Sequence, residues 1–389
     1  MNFTELLTYA DIEQVRKITS FYGCTSNPHS KNDCIRVLVS HLNKRTELKR
    51  IVDRLKPSEL RLLQLLYFDW RTLFNMEELL GMGRTACLDK EESPRKWIGA
   101  ARNMGWIFPG VTAHSRSLFY ISQDLLERLM EVFAEPYLEE GKPSLHLAVI
   151  RDERDVFVHD LEQFLLFVKN NEVTLTGEGS IYRQQQRKLF QLLHFPESPI
   201  DPSGWRFGFG RRYHQYPDRF SLLYDYAFYR GYIVEAPEGV LRLTEAGAHQ
   251  RTREDAQEKT EAVRFWMRLY RRPIPHLLLN IRWIQFLASS QWIQRNTLQR
   301  AVEQWLDPYY YVSKEELLDR ILQMMLYLGM INLGEDEEGV QWLKMTAEGE
   351  QHIKNIGRTF ETQLDNHYFG IPSSRFSEKQ GGKPIISVE

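Results

Sequence analysis

Two stretches one hundred residues apart say nearly the same thing. Residues 238–247 read "EGVLRLTEAG" and residues 338–349 read "EGVQWLKMTAEG". Each follows a glycine, a large side chain and an isoleucine: Gly231-Tyr232-Ile233 and Gly329-Met330-Ile331. A phrase kept in this order marks a supersecondary unit used more than once. The order fits a helix, a glycine stop, a strand, a turn, a returning strand, and a hydroxyl residue that caps the next helix. Another copy, the first along the chain, runs from Gly105 through "WIF" and "SLFYIS" to Ser122. The spacing from glycine to hydroxyl is 17 positions there, 13 from Gly231 to Thr244, and 17 from Gly329 to Thr346. The difference falls in the turn, where a loop can vary in length.

The residues ahead of each glycine give the rest of the unit. "PSELRLLQLLYF" predicts a helix with Leu60, Leu63, Leu66 and Tyr67 inward, and Asn75 with Glu78 forms a capping box for "NMEELLGMG". Ser93 and Pro94 are placed to open a third helix with Trp97, Ile98, Ala101 and Met104 on its core face. Three helices and a hairpin give the order of a winged helix, a helix-turn-helix whose third helix can enter the major groove. In the second copy, residues 159–193 read helix, short strand, a Thr176 cap and helix. In the third, Ser313 and Glu316 form another capping box. The expected fold class is therefore an α-rich α+β protein of tandem winged-helix units joined by helices. The expected domains are a helical module at 1–50, winged helices at 51–140 and 141–250, a helical linker with a third winged helix at 251–368, and a mobile tail at 369–389.

Two resemblances follow from particular residues. "DIEQVRKITSFYG", the turn "SNPHS" and "KNDCIRVLVSHL" form a helix–turn–helix that resembles a SAP-type module, a family that often touches DNA. His159-Asp160-Leu161, Phe164-Leu165, Val173-Thr174-Leu175-Thr176, Gly179, Ile181-Tyr182-Arg183 and Arg187-Lys188-Leu189 resemble a helicase-associated region. That region stands in front of the motor in XPB-type DNA-repair helicases and also occurs in bacterial proteins without a motor. The resemblance implies winged-helix folding, DNA-related work and a helicase or repair partner. It carries over no catalytic residue.

Several chemistries lack their residues. There is no G-x-x-x-x-G-K-[ST], and "GEGSI" at Gly177 has no Lys-Ser/Thr after it to hold nucleotide phosphates. Cys24, Cys34 and Cys87 are widely spaced with no CxxC, and no H-E-x-x-H appears among the 11 histidines. No G-x-S-x-G nucleophile context exists. The expectation is a protein that is not an enzyme and takes no cofactor or metal. The opening "MNFTELLTYADIEQ" lacks signal-peptide character and no apolar run approaches a membrane span, so a cytoplasmic protein with no membrane partner is expected.

Binding has better material. The formal net charge is −2, so attraction to nucleic acid must come from local patches. Arg95, Lys96, Arg102 and Asn103 lie off the apolar face of the third helix of the first unit. "WRFGFGRRYHQYPDR" interleaves Arg206, Arg211, Arg212, His214 and Arg219 with Trp205, Phe207 and Tyr213, a mixture that can stack on unpaired bases. "MRLYRR" supplies Arg264, Arg268, Arg271 and Arg272. The corresponding helix of the third unit carries Glu315, Glu316 and Asp319 instead, which suits a protein better than a phosphate backbone. Arg95, Lys96, Arg102, Arg211 and Arg212 are the expected DNA contacts of a non-catalytic DNA-binding or scaffold protein. The alternatives are a protein-interaction scaffold or transcriptional regulator, and an enzyme whose site converges from distant residues.

Overall fold

The computed structural model describes residues 1–89, 91–110, 115, 117–201, 206–249 and 255–357. The protein is α-rich with small antiparallel sheets, and it divides into two compact units, Met1–Lys142 and Pro143–Glu389.

The first unit opens with four helices, α1 (Phe3–Tyr9), α2 (Ile12–Phe21), α3 (Lys31–Leu42) and α4 (Arg45–Arg54). After them come α5 (Pro57–Phe68), β1 (Leu73–Asn75), α6 (Met76–Ala86), α7 (Pro94–Asn103), β2 (Ile107–Pro109), β3 (Leu118–Ile121) and α8 (Gln123–Leu138). The sheet order is β1-β3-β2, with Phe119 facing Phe74 on one side and Pro109 on the other. The expected boundary at residue 50 does not separate two bodies. The Phe3 amide donates to Asp124 Oδ1 at 2.9 Å and the Tyr22 hydroxyl to the Met104 carbonyl at 2.7 Å. Phe3, Leu6, Val15 and Ile18 are buried with Trp97, Trp106 and Leu125. The N-terminal helices are thus part of this unit's core, which needs their apolar faces.

The second unit contains the other two copies. It runs β4 (Val149–Arg151), α9 (Val156–Asn170), β5 (Val173–Thr174), α10 (Arg183–Phe190), α11 (Asp218–Tyr229), β6 (Ile233–Ala236), β7 (Val240–Leu243), α12 (Glu245–Ala248) and α13 (Asp255–Tyr270). It continues with α14 (Leu277–Ala288), β8 (Ile293–Gln294), α15 (Arg295–Val302), a 3₁₀ turn (Glu303–Trp305), α16 (Lys314–Tyr327), β9 (Ile331–Glu335), β10 (Gln341–Met345) and α17 (Ala347–Gly357). Its sheets are ordered β5-β7-β6 and β4-β9-β10-β8. Each copy therefore has a short first strand, two helices and a hairpin whose returning strand lies in the middle. The first strands β1 and β8 carry no alternation long enough to be read from sequence. The boundary expected at residue 250 is bridged too, because Tyr327 of α16 donates to buried Asp160 of α9 at 3.2 Å.

The repeated phrase has one backbone solution. Gly105, Gly231 and Gly329 sit at φ +69°, +67° and +70°, the left-handed conformation that ends a helix. The hydroxyls of Ser122, Thr244 and Thr346 each donate to that glycine's carbonyl, at 2.7, 2.5 and 2.7 Å. Thr244 and Thr346 also accept the Gly247 and Gly349 amides, so they cap the next helix as expected. Ser122 makes no such cap bond, and neither does Ser93. Thr176 accepts the Ser180 amide at 3.2 Å and so closes a tight turn, not the start of α10. The tail expected at 369–389 lies outside the described residues.

The three glycines differ in what surrounds them. A Cβ on Gly231 would meet nothing within 4 Å, whereas one on Gly329 would lie 2.8 Å from Arg154 Cα and 2.9 Å from its carbonyl oxygen. Gly231→Ala is expected to cost only the left-handed strain, ~1 kcal/mol. Gly329→Ala adds a backbone clash and is expected to cost ~3 kcal/mol or more. Urea unfolding of the two variants decides the matter, and equal losses would reject the close approach at Arg154.

Candidate nucleic-acid interface

The helix before each hairpin has a different exposure in each copy. On α7 the exposed residues are Arg95, Lys96, Gly99, Arg102 and Asn103, which fall on one helical face. The opposite face buries Trp97, Ile98 and Ala101, as the periodicity predicts. Pro94 occupies the first helical position, and α6 packs closely there through Gly83, where a Cβ would meet the Pro94 carbonyl at 3.0 Å. Arg95, Lys96 and Arg102 make no ion pair among the described residues. Lys96 Nζ lies 5.0 Å from the Trp97 ring centroid. The carboxylate just upstream, Glu92, accepts the Ser58 hydroxyl at 2.7 Å and the Leu88 amide at 3.1 Å. Those bonds, the Ser58 one foremost, hold its carboxyl below the ordinary value.

Two of these cations stand in the first turn of α7, which has no acidic residue. The N-terminus of a helix carries partial positive charge, so cations there lose ~0.3–1 kcal/mol each. The arrangement disfavours stability and favours an anion. Arg95 and Arg102 are seven residues apart, roughly 10 Å along the axis at the usual helical rise. They mark out a stripe along the helix.

Arg211 and Arg212 occupy a different setting. Both guanidinium groups reach Glu235, at 3.2 and 3.0 Å, and their side chains are only 22% and 19% exposed. Arg211 also stacks on Phe228 at 3.9 Å, and its amide donates to buried Asp225 at 3.0 Å. This pair ties the long segment before α11 to β6, and is engaged within the fold. Arg206 pairs with Asp218 at 2.7 Å and Arg219 with buried Glu153 at 2.9 Å. Phe207 is buried and Trp205 lies outside the described residues. The aromatic-basic stretch thus serves chiefly as packing. Arg264 of the other basic stripe is likewise paired, with Glu261. Glu235 as a common partner could not be read from spacing, because it lies more than 20 residues downstream.

α11 itself is closed on all sides, since residues 220–227 are all buried. Aromatic side chains cover it: Phe220 packs on Phe164 and Phe190, at centroid distances of 5.1 and 4.8 Å, and Tyr226 on Phe265 of α13 at 5.7 Å. Buried Glu258 of α13 accepts both the Tyr226 and Tyr232 hydroxyls, at 2.5 and 2.9 Å. On α16 the exposed residues are Glu315, Glu316 and Gln323. Asp336 in the third hairpin turn accepts the Val340 amide at 2.9 Å and Trp342 Nε1 at 2.8 Å, so this carboxylate holds the turn.

A polar cluster joins α9, α11 and α16 within the second unit. Asp160 accepts the His194 amide at 2.7 Å as well as the Tyr327 hydroxyl, and burial raises its carboxyl. Nearby Glu197 is pushed up to about 7, mainly by burial and further by Asp160 and Asp218, against the pull of Arg219. Among the described residues no group of three or more His, Cys, Asp or Glu is arranged to hold a metal ion. No described helix is long and apolar enough to cross a membrane. Comparison with known proteins gives no match to a family model, a curated protein or a solved structure.

Glu197 makes a testable contribution to pH dependence. Its folded-state value is raised, so its proton stabilises the fold at low pH, and that stability is lost as pH rises from ~4.5 through ~7. Glu197→Gln cannot ionise. Its stability relative to the wild type is expected to rise across this window by ~1–2 kcal/mol, after allowance for partial exposure. Denaturant unfolding of both proteins at pH 5 and pH 8 measures the difference, and a pH-independent difference would reject the assignment.

Proposed function

We propose that the chain is a non-catalytic nucleic-acid-binding protein that engages DNA through α7. In this reading each helix–strand–helix–helix–hairpin copy is a winged helix. Only the first presents its third helix to a ligand, while the second and third serve as framework. The observation that carries the reading is the stripe of Arg95, Lys96 and Arg102. These cations are exposed, without ion pairs among the described residues, and set partly against the helix dipole. They suit phosphate oxygens, and arginine also suits a guanine edge. The resemblance of residues 159–193 to a helicase-associated region supports a place beside a DNA helicase or repair factor. Arg211 and Arg212, engaged on Glu235, take no part in this surface.

Charge reversal of Arg95, Lys96 and Arg102 to Glu tests the proposal. Wild-type affinity for a duplex is expected to fall with salt. The triple variant is expected to bind at least ~100-fold more weakly at low salt, with a log–log salt slope shallower by ~2–3, about 0.9 per lost phosphate contact. Wild-type binding that does not depend on salt would sink the reading.

A second reading, a protein-interaction scaffold, is favoured by the third copy. Beside α16, where Glu315 and Asp319 pair with Arg295 and exposed Glu316 closes the capping box, Tyr310 and Tyr311 are 76% and 81% exposed, and Tyr310 has a φ of 51°. A left-handed tyrosine is uncommon, and such strain persists where the surroundings enforce it. A purified complex with a defined protein, free of nucleic acid and lost on Tyr310→Ala/Tyr311→Ala, would select this reading.

A further inference from the structure

The stripe on α7 does not end in open solvent. Its C-terminal half borders a cleft of about 310 Å³ between α2 and α7, lined by Asp11, Glu13, Gln14, Lys17, Gly99, Arg102 and Asn103. We propose that this cleft receives an amino-bearing nucleobase, cytosine or adenine, from a strand whose phosphates run over the α7 cations. The proposal rests on the nucleic-acid reading above and names the part of the ligand that the cations do not explain.

Gln14 is the first indication. It is only 7% exposed, and its Nε2 has no hydrogen-bond partner. A buried amide left unpaired is costly, so a side chain that lines a cleft gains a partner by turning to meet an acceptor arriving from outside. Gly99 is the second. It sits inside α7, where glycine weakens a helix relative to alanine. No packing demands it, since a Cβ there would meet nothing within 4 Å. A glycine on an exposed functional face without a steric reason in the fold fits the close approach of a ligand to the backbone.

The composition of the lining selects the base over the phosphate. Asp11 and Glu13 balance Lys17 and Arg102, so the cleft as a whole does not concentrate anions. Asp11 Oδ1 already accepts the Gln14 backbone N–H at 2.7 Å as the helix cap, whereas exposed Glu13 has no such bond. A carboxylate beside carboxamides offers an acceptor next to donors. That set complements the exocyclic amine and adjacent ring acceptor of cytosine or adenine. Thymine, with a carbonyl in place of the amine, sets an oxygen against Glu13. Lys17 and Arg102, exposed in the same lining, are left for the phosphates.

The test uses the full chain with fluorescein-labelled oligo-dC, oligo-dT of equal length, and a mixed-sequence duplex, followed by anisotropy at fixed low salt. Oligo-dC is expected to bind at least ~5-fold more tightly than oligo-dT, the discrimination of one good base contact. Glu13→Gln and Gln14→Leu are expected to bring the two affinities to within ~2-fold of each other, Glu13→Gln by weakening oligo-dC and tightening oligo-dT together as the repulsion of thymine is relieved. Gly99→Leu is expected to abolish the preference and also to raise the unfolding midpoint, so lost binding there cannot be lost folding. Equal binding of the two oligomers by the wild type, or a preference that survives in Glu13→Gln and Gly99→Leu, overturns the cleft assignment and leaves the α7 stripe standing. Failure of the wild type to bind any of the three probes overturns both.

Discussion

A glycine carbonyl held by a hydroxyl sets the architecture. In each copy a left-handed glycine turns the chain out of a helix, and a Ser or Thr 13 or 17 residues on donates to that glycine's carbonyl. The amide of the same residue donates to the next carbonyl at 3.0 Å in all three copies. Those bonds fix where the returning strand ends. They also satisfy the two carbonyls just beyond the helix end, which no helical bond reaches. With both ends of the hairpin fixed, the turn between them is free to change length. The returning strand becomes the middle strand, and a short strand from earlier in the chain pairs with its other edge.

The shared hinge does not impose a shared surface. The helix leading into the glycine has the same position in each copy, yet its outward face meets solvent on α7, a cover of aromatic side chains on α11, and an acidic rim on α16. In the second unit the cover has its own polar fastening, with buried Glu258 of α13 accepting two tyrosine hydroxyls. A buried carboxylate is tolerated when such donors surround it. Closing α11 in this way gives a larger common core, which a four-residue strand and a short helix could not bury alone.

Much of this was legible in the sequence because it depends on local chemistry. Glycine stops, capping boxes at Asn75 and Ser313, and the apolar face of α7 follow from spacing along one element. What was not legible depends on distant partners. Nothing near Arg211 and Arg212 announces Glu235, and nothing near Phe3 or Tyr22 announces that α1 and α2 pack against the α7–β2 turn. On α5 the spacing placed Leu60 and Tyr67 inward, but they are half-buried while Leu62 and Phe68 are buried. A helix covered from several directions carries no single stripe to read. The exposed cations of α7 were legible for the opposite reason: a solvent face has no tertiary partner to hide.

That difference supplies a criterion for separating structural arginines from those kept for a ligand. Arg206, Arg211, Arg212 and Arg219 each improve the fold by satisfying a carboxylate, so their presence needs no further cause. Arg95 and Lys96 make no such ion pair among the described residues and add positive charge where the helix already carries it, offset for Lys96 only by the field of Glu92. Gly99 weakens the same helix with no steric return, and Gln14 beside it leaves a buried donor unpaired. Each costs the folded chain something, and all lie on α7 or on the helix packed against it. On the proposed nucleic-acid reading, these locally unfavourable choices share one surface because a ligand, not the fold, uses them.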